Sequence, residues 1–417
     1  MKILVAIPFL YGATPSRECI ESVINLEGVD VLPLLNGAAP DVRQVVNSYS
    51  YSNKWGNTIL NRDENIYVTA AWNLFIEMFL DSDYTHLIIM NSDLIMGKGW
   101  QDVLKKRWAV NPDEVLLPVI RDNSMELLAG TTDISNALEV HEGTPGVFIT
   151  LNKKQAGMVY PIPSDIKVWF NDTWIYAILR RVGFKTLIPE NLLAYHYWST
   201  SVTHSAIHAI IEDDKILWDK VVRKLNSPIF VRYNHSCYAE SDIHEHLPVL
   251  YRYALQCSAI TEFGTRRGVS TLAFLSACIN RDAKVTAYDI VKWEDVDGII
   301  ELAKQDGLNF TFKEESTLTC DIETTDLLFI DTYHTYSQLK AELDRHAGKV
   351  NKFIAFHDTF TYGENGEPSY EAVAMNAMNC GRGIWKAIEE FMQANPEWSV
   401  CYKTDSNNGL TILAKKQ

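Results

Sequence analysis

The sequence has no CxxC pair, no long apolar run and no excess of basic residues, and each lack closes off a class of protein. Its seven cysteines are scattered and odd in number. That argues against a disulfide framework and fits reduced thiols, mostly buried as small apolar residues. No uninterrupted apolar run approaches the ~18 residues of a membrane span, so none is expected. The opening MKILVAIPFLYG carries one lysine and a short apolar run, without the length or small-residue cleavage site of a signal peptide. Lys and Arg number 38 against 53 Asp and Glu, a formal net charge of -15. An acidic surface repels phosphate backbones, which argues against a broad nucleic-acid footprint while leaving a local basic patch open.

What is present is ample core material, and it alternates. Hydrophobic residues make up 47% of the 417, which excludes a disordered chain, and the length suggests two domains. Residues 1–205 read as strands and helices in alternation. KILVAIPF, VDVLPLLNG and THLIIMNSD are strands; SRECIESVINL, VTAAWNLFIEMFLDS, GWQDVLKKRWAV and NDTWIYAILRRVGF are helices, with Ser16 expected as the N-cap of the first. Residues 206–245 are less periodic and read as a connecting region with helical parts. A second α/β pattern fills 246–417, from AITEFGTRRGVSTLAFLSACI to GLTILAK. Strands alternating with helices predict α/β folds with parallel sheets covered on both faces.

In open α/β sheets, ligands sit outside the carboxyl ends of the strands. Polar residues there carry the chemistry. In the first half these are Asn36, the cluster Asn91-Ser92-Asp93, and Asp172 at a helix start. A strand-end carboxylate can hold a divalent cation, which neutralises a diphosphate leaving group. A second carboxylate can take a proton from an attacking hydroxyl, and a histidine can complete a metal shell. In the second half, EFGTRRGVST forms a glycine turn between strand and helix, and Asp289 ends the next strand, where an acid can bond ribose hydroxyls. Asp331, His334, His357 and Asp358 fall just beyond two further strand ends, a set with metal-site chemistry.

Residues 1–205 resemble the GT-A fold inverting glycosyltransferases, the group that includes rhamnosyl and other polysaccharide-building transferases. Four blocks carry the resemblance: VAIPFLYG, with Pro8; VTAAWNLFIEMFLDSDYTHLIIMNSDLIMGKGW, with Asn73 on a helix before a DXD-type motif; FNDTWIYAILRRVGF, similar to the "ED" helix; and IPENLLAYHYWSTS. The resemblance implies Asp93 as the metal and diphosphate carboxylate, His196 as a further metal ligand and Asp172 as catalytic base. Pro8, Asn36, Asn73 and Asn91 would line the nucleotide-sugar site.

The chain from about Asp242 onward resembles class I S-adenosylmethionine-dependent methyltransferases. It is closest to the group with the pattern E-I-G-x-x-x-G-x-S … I-D-G-x-H-x-Y … H-D, which includes metal-dependent sugar O-methyltransferases and proteins labelled cephalosporin hydroxylases. The resemblance implies Glu262, Gly264, Thr265 and Gly268 on the cofactor's methionine side, Asp289 on its ribose and Ser316 at its adenine edge. Asp331, His357 and Asp358 would bind a divalent metal (Mg²⁺ or Mn²⁺), with His334 as general base. Two arginines, Arg266 and Arg267, stand inside the glycine turn.

Together the resemblances imply two Rossmann-like α/β domains and a bifunctional glycan-modifying enzyme. It would transfer a sugar from a nucleotide sugar to a glycan acceptor and O-methylate a sugar hydroxyl. Such pairings suit surface polysaccharide or viral glycan synthesis in the cytoplasm, the host's in the viral case. Alternatives are a glycosyltransferase with a non-catalytic methyltransferase-like binding module, a glycosyltransferase acting on a modified base in viral DNA, and an iron site in the His/Asp cluster. Oligomeric state has no signature in the sequence.

Overall fold

The computed structural model describes residues 1–121, 134, 136–141, 146–197, 205–367 and 382–416. The chain divides into two compact units, Met1–Leu225 and Asn226–Gln417.

The first unit runs β1 (Ile3–Phe9), α1 (Ala13–Val23), β2 (Val29–Asn36), α2 (Pro40–Asn47), β3 (Leu60–Arg62), α3 (Tyr67–Leu80), β4 (His86–Met90), β5 (Leu94–Met96) and α4 (Trp100–Val110). It continues through β6 (Val115–Leu116), β7 (Val119–Arg121), β8 (Ala137–Glu139), β9 (Phe148–Asn152), α5 (Lys153–Val159), α6 (Asn171–Arg181), β10 (Thr186–Pro189), β11 (Leu193–His196) and α7 (Ser205–Asn226). The main sheet has the order β3-β2-β1-β4-β9; its first four strands are parallel and β9 is antiparallel to β4. Ile3 to Ile7 are wholly buried, as expected of a parallel strand covered on both faces. Two three-stranded sheets, β6-β10-β8 and β5-β11-β7, complete the unit.

One cap differs from the sequence expectation. The N-cap of α1 is Gly12, at φ 86°, and Ser16 lies buried within the helix. The chain enters this helix by a left-handed turn, which glycine adopts without a steric penalty. Of the stretch expected to connect the halves, 205–226 forms α7 and Pro228–Tyr238 forms a further helix, α8.

The second unit continues from α8 to α9 (Leu247–Ala254), β12 (Ala259–Phe263), α10 (Val269–Cys278), β13 (Lys284–Asp289), α11 (Glu294–Gln305), β14 (Asn309–Glu314), β15 (Thr325–Ile330) and α12 (Tyr336–His346). It ends with β16 (Val350–His357), α13 (Ile384–Ala394), β17 (Trp398–Thr404) and β18 (Leu410–Lys415). The sheet order is β14-β13-β12-β15-β16-β18-β17; β14 to β16 are parallel, and β18 and β17 add antiparallel. Every residue of α10 after Val269 is buried, and the helix packs on α8 and α9. Its sequence, VSTLAFLSAC, has no charged face to present to water.

The sheet's chain order reverses between β12 and β15, the position where open α/β sheets bind ligands. Of the six cysteines described, none forms a disulfide and five are buried. Among the described residues no helix is long and apolar enough to cross a membrane.

Candidate active sites

The first unit holds a cavity of about 520 Å³ at the carboxyl ends of β1, β2 and β4. Pro8, Asn36, Asn91, Asp93, Asp172 and His196 all line it, together with Tyr67, Trp72 and Trp169. Asp93 follows β4 and is 8% exposed. Antiparallel pairing of β5 with β11 sets His196 opposite Leu94, and the amide of Tyr197 donates to the Asp93 carbonyl at 3.0 Å. That register brings Nε2 of His196 to 3.1 Å from Oδ1 of Asp93. Two residues 103 positions apart thus share one corner of the cavity.

Asp172 sits in the first turn of α6. Burial raises its pKa, against the opposing pull of the Thr173 amide, which donates to Oδ1 at 2.7 Å. A raised carboxyl pKa makes a stronger base. Gly146 lies so close that an added Cβ would stand 2.7 Å from Oδ2 of Asp172.

Two asparagines serve the scaffold. The Asn36 amide group donates to Oδ1 of Asn65 at 3.0 Å and accepts from the Ile66 amide at 2.9 Å, so it shapes the segment entering α3. Asn73 lies off the cavity wall. Its side chain exchanges two hydrogen bonds with the backbone of Ile162, at 2.9 and 2.8 Å, in the manner of a peptide group. Asn91 makes the turn after β4: its amide donates to Val147 and its carbonyl accepts from Leu94.

A residue that the sequence did not single out braces the cavity lining at Val168 and Trp169. Asp214 of α7, 1% exposed, accepts from the amides of Lys167, Val168 and Trp169 at 2.7–2.8 Å. Three convergent amides satisfy a buried carboxylate without a cation. Trp218, one turn on, stacks on Phe170 with ring centres 4.5 Å apart. Together these contacts fix residues 167–170, which lead into Asp172.

The second unit gathers its candidates along one edge, since β12, β13, β15 and β16 all run the same way. Asp331 follows β15, His357 ends β16 and Asp358 follows it. Oδ1 of Asp331 lies 3.1 Å from Nε2 of His334 and 3.2 Å from Nδ1 of His357. Oδ2 of Asp358 lies 3.1 Å from the same two nitrogens. Two imidazoles and two carboxylates therefore alternate in a closed ring. Burial opposes the charge on His357, but Asp331 and Asp358 outweigh it and push its pKa up to about 10. Burial likewise opposes His334, and its carboxylate neighbours raise it. Asp331 is held below the usual carboxylate range, the histidines outweighing its burial.

Asp358 has φ 59°, a left-handed conformation that a non-glycine residue adopts only when its surroundings impose it. The Tyr362 amide donates to its carbonyl at 2.9 Å. His246 packs edge-on to His357 with ring centres 5.4 Å apart; burial and His357 lower its pKa to about 4. Nδ1 of His334 faces Oε2 of Glu367 at 3.0 Å, and its ring stacks on Tyr362.

The residue types suit a divalent cation. Asp331, His357 and Asp358 each offer a donor atom within 4.8 Å of the others, and Nε2 of His357 is buried without a hydrogen-bond partner. Oxygen and imidazole donors together match the harder divalent ions and iron alike.

The glycine turn is built for close packing. Gly264, at φ 83°, lies against Asp331, and an added Cβ would collide with the Asp331 carbonyl oxygen. Gly268 meets Ile299 in the same way and begins α10. Glu262 is wholly buried, and burial raises its pKa to about 8 against the hydroxyls of Ser270 and Thr271, which donate at 2.5 and 2.6 Å. Thr265 is 2% exposed, its hydroxyl 3.4 Å from the Tyr288 carbonyl. Asp289 accepts from the amides of Arg266 and Val291. The Arg266 guanidinium turns to Asp242 at 2.8 Å. Ser316 opens the turn after β14, its carbonyl accepting from Thr319 and Cys320. Ile290, 69% exposed, and Trp293, 43% exposed, lie beside Asp289 and offer apolar surface for a flat ring.

Residues 261–359 match the family model described as a methyltransferase domain. The match opens inside β12 and closes just past Asp358, so it spans the glycine turn, Asp289 and the His/Asp ring. The second unit therefore carries a methyltransferase domain. Among solved structures, the chain is similar to an S-adenosylhomocysteine-bound O-methyltransferase from Bacillus cereus, at 16% identity and TM-score 0.32, over 52% of this chain and 99% of that one. It is also similar to an S-adenosylhomocysteine-bound methyltransferase from Podospora anserina, at 17% identity and TM-score 0.31, over 52% and 97%. A third is a ribosomal protein L11 methylase from Lactobacillus delbrueckii subsp. bulgaricus, at 15% identity and TM-score 0.28, over 42% and 80%. No curated protein matches the chain.

Proposed function

We propose that the second unit transfers a methyl group from S-adenosylmethionine to a sugar hydroxyl, and that the first transfers a sugar from a nucleotide-sugar donor with inversion. The observation that carries the first half is the ring of Asp331, His334, His357 and Asp358 inside the methyltransferase match. Gly264, Thr265 and Gly268 follow β12, Asp289 ends β13 and Ser316 follows β14. The cofactor would lie along these strand ends, with exposed Ile290 and Trp293 following Asp289 in the chain. Asp331, His357 and Asp358 would hold a divalent cation, which lowers a hydroxyl's pKa and orients it when bound. Nε2 of His334 lies 3.1 Å from both carboxylates and would take the hydroxyl proton when a bound cation draws those carboxylates to itself. That proton passes to His334 as oxygen bonds to the methyl carbon and the carbon–sulfur bond opens.

In the first unit, Asp93 and His196 would hold the metal and diphosphate, and Asp172 would deprotonate the acceptor. The support is their convergence on one cavity and the raised basicity of Asp172. Calorimetry with S-adenosylmethionine, followed by transfer of labelled methyl to a panel of methyl glycosides, tests the second unit. Absence of binding at millimolar ligand removes that half. A thermal-shift screen of nucleotide sugars, repeated on Asp93→Ala, tests the first; a donor that stabilises both proteins equally removes the other half.

A further inference from the structure

We infer that Trp169 and Asn171 form a sugar-binding subsite in the first cavity, which takes a pyranose ring with its C–H face on the indole and a hydroxyl oxygen on the Asn171 amide. The inference rests on the sugar-transfer reading of the first unit and names how the acceptor is held. Trp169 lines the cavity and is 41% exposed, yet its backbone is fixed, the amide donating to buried Asp214 at 2.8 Å. Phe170 and Tyr67 line the same cavity and hold left-handed backbones, at φ 69° and 63°. Such residues keep that conformation only where their surroundings impose it, and they cluster at ligand clamps. The Thr69 amide donates to the Lys167 carbonyl at 2.9 Å, which ties the two aromatic segments together. The Lys215 ammonium stands over one indole face, 5.7 Å from the ring centre, and a ligand would use the other. Among the described residues, neither the Trp169 indole N–H nor the Tyr67 hydroxyl has a hydrogen-bond partner.

Asn171 supplies an independent observation. It lines the cavity at 4% exposure, and its amide nitrogen is buried with no hydrogen-bond partner among the described residues. Its oxygen is already engaged, accepting from the Asp172 amide at 2.9 Å. A buried donor left unpaired costs about 1–3 kcal/mol, which an accepting ligand oxygen removes. Trp169 lies three residues before Asp172, so their Cα atoms are at most about 11 Å apart. A ring stacked on the indole therefore lies within reach of the carboxylate that would deprotonate it. A sugar suits both features. Its ring C–H bonds, polarised positive, meet the negative face of the indole, and its hydroxyls accept from Asn171. A nucleobase would stack too, but the group beside Asp172 must carry the hydroxyl that the reaction deprotonates.

The test uses the full chain with isotope-labelled tryptophan, the Trp169 indole peak being assigned by its loss in Trp169→Phe. Methyl β-D-glucopyranoside, methyl β-D-galactopyranoside and methyl α-D-mannopyranoside are titrated in, and uridine separately. The Trp169 peak should move saturably with at least one glycoside and stay in place with uridine. Overhauser contacts from the indole should fall on the C–H protons of one face of the sugar ring. Asn171→Asp, which keeps the oxygen and loses the donor, should raise the glycoside concentration at half-shift about tenfold. A Trp169 peak that ignores all three glycosides, or that moves with uridine, overturns the inference. So does a half-shift concentration within twofold of wild type in Asn171→Asp. The thermal-shift screen judges the transfer reading separately. If no nucleotide sugar stabilises the protein while the Trp169 peak moves with a glycoside, transfer fails and the sugar subsite stands.

Discussion

Gly264 touches the backbone of Asp331 with no room for a side chain between them. The amide of Asp331 donates to the carbonyl of Phe263, so the glycine turn and the strand end that carries Asp331 are tied backbone to backbone. Gly264→Ala must both hold φ near 83° and push Asp331 away. The combined cost is about 2–4 kcal/mol. Denaturant unfolding of the full chain should show the second unit's transition moved to lower denaturant and the first unit's unmoved.

The left-handed backbone of Asp358 separates fold from ligation. Asparagine tolerates φ near 59° far better than alanine does. Both variants lose the charge that faces the two histidines. Asp358→Ala should be less stable than Asp358→Asn by about a further 1–2 kcal/mol, the cost of φ 59° for alanine. Both variants should bind Mn²⁺ at least about tenfold more weakly by calorimetry. Undiminished Mn²⁺ affinity in Asp358→Asn would remove this residue from the metal set.

The pH dependence has a definite sign. His357 has a folded pKa of about 10 against an ordinary 6.5. Its stabilisation is complete below pH 6.5 and is lost as pH rises toward 10. Glu262, raised from 4.5 to about 8, loses its contribution over that interval in the same direction. His246, lowered from 6.5 to about 4, acts oppositely: its contribution is lost as pH falls through that range. Asp331, held low, contributes above 3.8 and loses that only in stronger acid. In the presence of a chelator, the second unit should be most stable between about pH 4.5 and 6.5 and decline above, most steeply up to about pH 8. Urea midpoints across this range measure it, and a midpoint that rises between pH 6.5 and 8 contradicts the ion-pair ring.

Asp214 holds three amides of the wall that leads to Asp172. Asp214→Ala leaves those donors buried without an acceptor, at about 1–3 kcal/mol for each one that water does not reach. The first unit's unfolding midpoint should drop clearly, and Asp214→Asn should recover part of the loss through its one remaining oxygen. A midpoint unchanged in Asp214→Ala would show that the nest is solvated.

Much of this was legible in the sequence where a residue's role depends on its near neighbours. Asp93 and Asp172 announced themselves at a strand end and a helix start, and the structure lines one cavity with both. Asp331, His334, His357 and Asp358 did the same at two strand ends, and the parallel register brings the ends together. What stayed hidden depends on distant partners. Asp214 sits in EDDK, which reads as a solvated helix face, and only the folded chain shows three amides converging on it. Glu367 lies in GENGEP, an ordinary turn sequence. The α1 start was misplaced at Ser16 because a hydroxyl is the usual cap signal, whereas the chain here turns on Gly12. Asn36 lines the cavity as the resemblance implied, while also bonding Asn65 and Ile66; Asn73, which the resemblance set at the same site, is tied instead to the backbone of Ile162.

The burial of α10 beyond its first residue also bears on motion. A helix wet only at its first residue, Val269, has little room to fray, so the amides of its later turns should exchange with solvent only when the whole unit unfolds. The glycine turn is anchored between that helix and β12 and therefore inherits their slow clock. If a ligand rearranges this unit, the glycine turn should stay still while it does so.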